Sequence, residues 1–338
     1  MPLRKVIIDC SPGLDDARAL MLLLAMPDVE VLAITTVAGN SRVEQVTENV
    51  RATLKAVHRE DIPVFTGTSH NLNGDLVTGY RYCGENGFGN LNLPISKHSH
   101  HFKILAPQAI VSYANKYPKE VLIISMGALT NVALAYLLDR CLPIKITGLF
   151  WIGGDRSDKT TFNVTESAHI NAFSDPHAVK LVLENFGKSA INPLFLIDWS
   201  FCQKYPVEPS FLNHLANEMS KNSKRELEAD IMRAKPPEIK SEFANSPVPK
   251  MYLSSEFIAV IPFDVSLISK SRSVKLEQVV LDGPQKGHTV FTPQTDSNII
   301  LVDEIDFPRF KTLYYNYFQN AKRHHGHAQK FKTCCELF

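Results

Sequence analysis

The stretch Asp9-Cys10-Ser11-Pro12-Gly13-Leu14-Asp15-Asp16 decides the fold. Before it, Lys5-Val6-Ile7-Ile8 is a short apolar run of the kind a buried strand needs. After it, residues 17–26 are helix-forming and nearly all apolar. Three carboxylates and a Pro-Gly turn therefore stand where a strand hands over to a helix. In open α/β sheets the carboxyl ends of the strands form the crevice in which ligands bind. Asp15 and Asp16 open the helix, where the positive end of its dipole favours anions. One acid there reads as a cap. Three in eight residues read as an oxygen-rich site for a cation or for hydroxyls.

Outward from this stretch the chain keeps alternating strand and helix. Residues 29–37 are β-branched and read as a second strand. Gly39-Asn40-Ser41 turns into a helix with Ser41 as its cap, and Val43, Val46, Val50, Leu54 and Val57 give that helix one apolar face. Residues 62–65 make a short third strand. Residues 67–100 are polar and rich in Gly and Asn, a length that marks a functional or mobile loop. Helix, strand and helix resume at 106–116, 121–125 and 131–138. A strand at 147–152 ends in Gly153-Gly154-Asp155, and a helix at 176–185 and a strand at 190–196 follow. This βαβ order predicts one α/β domain with an open, mostly parallel, doubly wound sheet. Residues 273–303 alternate like antiparallel strands at a sheet edge, and 308–317 form a last helix with Tyr314, Tyr315 and Tyr317 on its packed face. Residues 207–250 are helical and charged, then Pro-rich, and read either as a flap over the crevice or as a solvated surface helix. The domain is taken as residues 1–325, with 326–338 as a C-terminal tail.

Composition narrows the partners. The 338 residues are 44% hydrophobic and 21% charged, with 36 basic against 35 acidic side chains and a formal charge of +1. That balance advertises neither nucleic acid nor an anionic membrane. The apolar stretch at 19–26 is far short of a membrane span. Cys10, Cys83, Cys141, Cys202, Cys334 and Cys335 show no metal-type spacing and read as reduced thiols of a cytoplasmic protein. Cys335 begins a terminal Cys-Glu-Leu-Phe, in which Glu directly after the Cys fits a prenylation signal poorly. Trp151 and Trp199 read as packing residues, and His98, His100 and His101 as a surface cluster.

The motifs then resemble one family in order along residues 5–315. The opening stretch is similar to Asp-x-Asp-x-Gly-x-Asp-Asp, the fingerprint of the calcium-dependent, inosine–uridine preferring nucleoside hydrolases. Val37-Ala38-Gly39-Asn40 resembles its Gly-Asn loop, and Cys83-Gly84-Glu85-Asn86-Gly87-Phe88-Gly89 its His-Gly-x-Asp-Gly-Leu-Gly loop. Gly127-Ala128-Leu129-Thr130-Asn131, Ile152-Gly153-Gly154, Asn163-Val164-Thr165, Ala168-His169-Ile170-Asn171 and Asp175-Pro176-His177-Ala178 follow. Ser255-Glu256-Phe257-Ile258-Ala259 stands where the family has His-Asp-Pro-Leu-Ala. The resemblance implies hydrolysis of the N-glycosidic bond of ribonucleosides. In the family a calcium ion holds the ribose hydroxyls and the attacking water, and an Asp ligand takes the water's proton. It also implies a homodimer or homotetramer.

Carried over position by position, the resemblance puts Asp9 at the first fingerprint acid and Ser11 at the general base and calcium carboxylate. It puts Asp15 on a ribose hydroxyl, Asp16 on calcium, the Thr130 carbonyl on calcium and Glu256 at the last calcium carboxylate. Asn40, Asn163 and Asn171 stand at the ribose-binding amides and His169 at a ribose-binding Glu. Cys83 and Ser255 each replace a His, the latter handling the leaving group. A serine hydroxyl cannot take a proton from water at neutral pH, and general-base catalysis is typically worth about 100- to 10,000-fold. The residues therefore predict weakened or lost calcium/Asp-base catalysis. Three alternatives stand beside it. One is an active hydrolase using Asp9, Asp15 or His169 as base. The second is a catalytically inactive ribose-binding or protein-interaction module, and the third a metal-dependent phosphohydrolase, for which only Arg18 lies near the acids.

Overall fold

The computed structural model describes residues 3–77, 83–93, 104–154, 168–188, 192–234 and 251–320. In chain order they form β1 (Arg4–Cys10), α1 (Leu14–Ala25), β2 (Val29–Thr36), α2 (Val43–Ala56) and β3 (Val64–Thr66). Next come α3 (Ala106–Lys116), β4 (Val121–Ser125), α4 (Thr130–Leu138), α5 (Leu142–Lys145), β5 (Gly148–Ile152), α6 (Ile170–Ser174), α7 (Pro176–Phe186) and β6 (Leu194–Ile197). The rest is α8 (Trp199–Cys202), β7 (Pro206–Val207), α9 (Pro209–Ser220), α10 (Glu226–Arg233), β8 (Met251–Tyr252), α11 (Ser255–Val260), β9 (Ile268–Val279), β10 (Thr289–Pro293), β11 (Ile299–Ile305) and α12 (Phe307–Asn320).

One sheet runs β10-β9-β11-β6-β5-β4-β1-β2-β3, and β7 pairs with β8 apart from it. Strands from β11 through β6, β5, β4, β1 and β2 to β3 pair in parallel, while β9 and β10 are antiparallel at one edge. This is the open, mostly parallel α/β sheet the apolar runs predict, in a single domain. The chain winds from β1 toward β3, then crosses back to lay β4 on the other side of β1. The strand order reverses between β1 and β4, and ligands bind in such a sheet just outside that switch point. The loop leaving β1 is the acidic octapeptide.

Helices cover both faces because each strand buries side chains alternately on both sides. Val6, Ile8 and Cys10 join one core with Leu20, Leu23, Ile231 and Tyr314. Ile7 joins the other, with Ile110, Val132 and Val179. Asp9 shares the parity of Ile7, so its carboxylate enters the α4 face of the sheet and not the α1 face.

Two local expectations change. The helix after Gly39 takes Arg42, not Ser41, as its N-cap residue and has no side-chain cap bond, because it starts one residue later than a Ser41 cap requires. The charged segment at 221–233 is not a solvated helix. α10 buries Ala229, Ile231 and Met232 in the same core as α1. Both tryptophans pack as expected: Trp151 is fully buried, its indole N–H donating to the Gly127 carbonyl at 3.1 Å, and Trp199 is buried in the same core as α1, its ring centre 5.8 Å from that of His169. The Pro-rich residues 235–250, the His98–His101 cluster, Cys334, Cys335 and the 326–338 tail lie outside the described residues.

Candidate active site

Two helix N-termini, at Leu14 and Ser255 and so far apart in sequence, meet side by side above the sheet. The Ser254 hydroxyl donates to Asp15, the Ser255 hydroxyl donates to Asp16, and the Arg18 Nε donates to Glu256 Oε1 at 2.8 Å. Three consecutive residues of the α11 start thus pair with Asp15, Asp16 and Arg18 of α1. The other Glu256 oxygen accepts the Ser254 backbone N–H at 3.0 Å. Arg18 and Glu256 are both buried, at 4% and 0% side-chain exposure. Burial works against the Arg18 charge, but Glu256, Tyr314 and Asp15 together hold the guanidinium above its usual range. Burial raises the Glu256 carboxyl, with Arg18 pulling it back. Burial and then the neighbouring Asp15 charge raise Asp16 well above the carboxylate range, against the pull of its Ser255 and Ser11 donors.

Ser11 lies at the centre of the turn. Its backbone N–H donates to Asp16 at 3.1 Å, and the Asn40 amide donates to its carbonyl at 3.0 Å. Its hydroxyl faces Gly39 so closely that a Cβ there would stand 2.8 Å from Oγ. Asp9 is held elsewhere. Thr35 Oγ1 at 2.7 Å and Asn131 Nδ2 at 2.8 Å donate to one oxygen, and Ser125 Oγ at 3.4 Å to the other. Burial pushes this carboxyl up to about 6 despite those donors. The strand-end acid ties β1 to β2, β4 and α4 and does not reach the α1–α11 cluster.

The remaining predicted residues arrive on neighbouring turns. Asn171, in the first turn of α6, donates through its amide to the Met126 and Ile152 carbonyls at 2.9 and 2.8 Å, clasping the ends of β4 and β5. Both amide hydrogens are used, which leaves the amide oxygen to offer a ligand. His169 caps α6, its Nδ1 accepting the Asn171 backbone N–H at 3.3 Å. Burial pushes the imidazole down to about 4, against the pull of Asp15. The ring is therefore neutral near pH 7 with its proton on Nε2, so it presents a donor and adds no positive charge. Trp199 and, behind it, Tyr252 extend this side as an aromatic wall. The Thr130 hydroxyl donates to Asp175 at 2.8 Å, and Asp175 caps α7. Cys83 is buried beside Gly13, and burial pushes its thiol up to about 12, which makes it inert. Asn163 lies outside the described residues.

Sequence reasoning missed three participants. Ser254 holds Asp15. Asn49 donates to both the Pro12 and Asn86 carbonyls, at 3.2 and 2.9 Å, fastening the Cys83–Gly89 loop to the acidic turn. Arg18 pairs with Glu256. The last had a visible signal, since a lone arginine in the otherwise apolar run Ala17–Met26 must find a buried counter-charge.

An open α/β sheet with acids, amides and hydroxyls gathered at its switch point defines a ligand-binding crevice protein. The chain belongs to the inosine-uridine preferring nucleoside hydrolase family, whose sequence model matches residues 6–312. It is 33% identical over 180 residues to the inosine-uridine preferring nucleoside hydrolase of Leishmania major, covering 53% of this chain and 56% of that protein. It is 36% identical over 180 residues to the pyrimidine-specific ribonucleoside hydrolase of Shewanella oneidensis, covering 53% and 55% respectively. These alignments span about half the length of the curated relatives. A solved plant nucleoside hydrolase superposes with a TM-score of 0.78 at 26% identity, over 94% of this chain and 99% of that one.

Proposed function

We propose that the crevice binds the ribose of a ribonucleoside and hydrolyses its N-glycosidic bond much more slowly than a carboxylate base at position 11 would allow. One observation carries this reading. Position 11 is a buried hydroxyl, and the acids around it already hold donors: Asp9 three, Asp16 two and Asp15 the Ser254 hydroxyl. Asp15, Asn40, Asn163 and the Asn171 oxygen are assigned to sugar hydroxyls, and the His169 Nε2–H to an oxygen of the sugar. Ser255 is assigned to the leaving-group side, and Cys83 to the loop that closes over the ligand. Any remaining general-base role falls to Asp15, the half-buried acid of the cluster. The relatives' names divide between inosine–uridine and pyrimidine preference, so the base is left open. A homodimer or homotetramer in the cytoplasm is part of this proposal, and light scattering on the purified chain tests the assembly.

The test is release of reducing sugar from inosine and uridine by the wild-type chain and by Ser11→Asp. The variant is expected to be faster by about 100-fold or more, the lower end of what a general base contributes. A wild-type chain that turns over as fast as the variant overturns the reading. Saturable inosine binding with no turnover in either chain moves it to the binding-module alternative.

A further inference from the structure

A calcium ion in this family is held by the positions that are Ser11, Asp16, Thr130 and Glu256 here, and calcium requires several oxygens with anionic charge among them. These residues do not fit it. Ser11 offers a neutral hydroxyl. Both Asp16 oxygens accept a donor, from Ser255 and from the Ser11 N–H. Glu256 is engaged on both oxygens, by the Ser254 N–H and by the Arg18 guanidinium, which is itself a full positive charge inside the cluster. Arg18 Nη1, moreover, is buried with no hydrogen-bond partner among the described residues. A divalent cation at Glu256 would have to displace the guanidinium or sit against it, and like charges in a desolvated site repel strongly.

We infer that Arg18 is the resident cation of this site: its guanidinium takes the place of the metal at Glu256, and the chain is built to work without calcium. A fixed guanidinium needs no ion from solution and cannot be removed by a chelator. Its unmet Nη1–H is a donor for a ligand oxygen or an ordered water, in a place where a metal would have offered a coordination position. The inference rests on the family alignment of Glu256 and is independent of whether hydrolysis is fast or slow.

The test is calorimetric titration of calcium chloride into four chains: wild type, Ser11→Asp/Glu256→Asp, the same double variant with Arg18→Met, and the same double variant with Arg18→Lys. Wild type and the double variant are expected to show no saturable calcium heat. The Arg18→Met triple is expected to bind at least about 100-fold more tightly than the double variant, since close buried charge pairs couple by that much or more. The lysine triple, which keeps the charge, is expected to stay calcium-blind. Saturable calcium binding to wild type, or equal binding by the double and the methionine triple, overturns the inference. Terbium luminescence on the wild-type chain covers the case in which a triple variant fails to fold. A sensitised signal that saturates and is displaced by calcium overturns the inference, and its absence supports it. The sugar-release assay fails separately. Fast, chelator-insensitive hydrolysis by wild type would sink the slow-rate reading and leave Arg18 in its role.

Discussion

Among the described residues, two buried arginine–glutamate pairs stand out, and they are built differently. Arg225 and Glu228 are one helical turn apart, at 3% and 4% side-chain exposure. All three guanidinium nitrogens of Arg225 are used: Nε and Nη2 on Glu228 at 3.0 and 2.6 Å, and Nη1 on the Phe318 carbonyl at 3.2 Å. The atom left without a partner among the described residues is an acceptor, Glu228 Oε1. Arg18 and Glu256 join helices from opposite ends of the chain, and the atom left over is a donor, Arg18 Nη1. The first pair fastens α10 to α12 and is complete as a brace. The second sits beside Asp15 and Asp16 with positive hydrogen-bonding capacity in hand. Equal burial therefore does not mean equal purpose, and the unmet atom tells the two apart.

The sharpest break is to remove each arginine. Arg18→Met and Arg225→Met are both expected to lose about 3–5 kcal/mol of unfolding free energy in urea at pH 7, the cost of leaving a buried charge unpaired. Millimolar calcium is expected to return part of the loss to Arg18→Met, where three acids are left together, and none to Arg225→Met. Equal rescue, or none in both, would erase the distinction.

A second measurement separates the pairs from the titrating groups around them. Asp9 is raised from 3.8 to about 6, so its stabilising contribution is present below about pH 4 and is lost as pH rises through 6. Relative to wild type, Asp9→Asn is expected to gain stability across that window, by about 3 kcal/mol for a shift of roughly two units. His169 is lowered from 6.5 to about 4, so its contribution is present above pH 6.5 and is lost as pH falls through 4. His169→Phe is expected to gain relative to wild type as pH falls through that range. Urea titrations at half-unit intervals give both differences, and parallel curves for variant and wild type would refute the assignment.

The smallest effect concerns the serines. Ser255→Ala is expected to cost about 1–3 kcal/mol, because the buried Asp16 loses a donor. Ser254→Ala is expected to cost less, because Asp15 is only half-buried. The reverse order in urea would mean that the α1–α11 contact is not organised as described.

Much of the scaffold was legible in residue order. Apolar runs of strand length, separated by helical stretches, predicted the parallel sheet, and α3 and β4 fall at the expected bounds. The octapeptide told where the crevice would be, because a strand end followed by helix-opening acids is a local pattern. The partners of those acids were not legible. Ser254, Ser255 and Glu256 reach Asp15, Asp16 and Arg18 across 238 or 239 positions, and no local spacing records such a meeting. Asp9 was ambiguous for a different reason: its role depends on the face it enters. The alternation with Ile7 fixes that face once β1 is placed in the sheet.

The meeting of α1 with α11 also sets an order of assembly. During synthesis, Asp15, Asp16 and Arg18 leave the ribosome long before residues 254–256 exist. Until then an arginine and two aspartates belong to a helix whose other face is almost wholly apolar, and burying them would leave charge uncompensated. The first three-quarters of the chain therefore gains little by closing its core early. Contacts of such long sequence separation form late and slowly. A chain interrupted before Glu256 would carry an exposed apolar α1 and no counter-charge for Arg18, the kind of fragment that quality control recognises and removes.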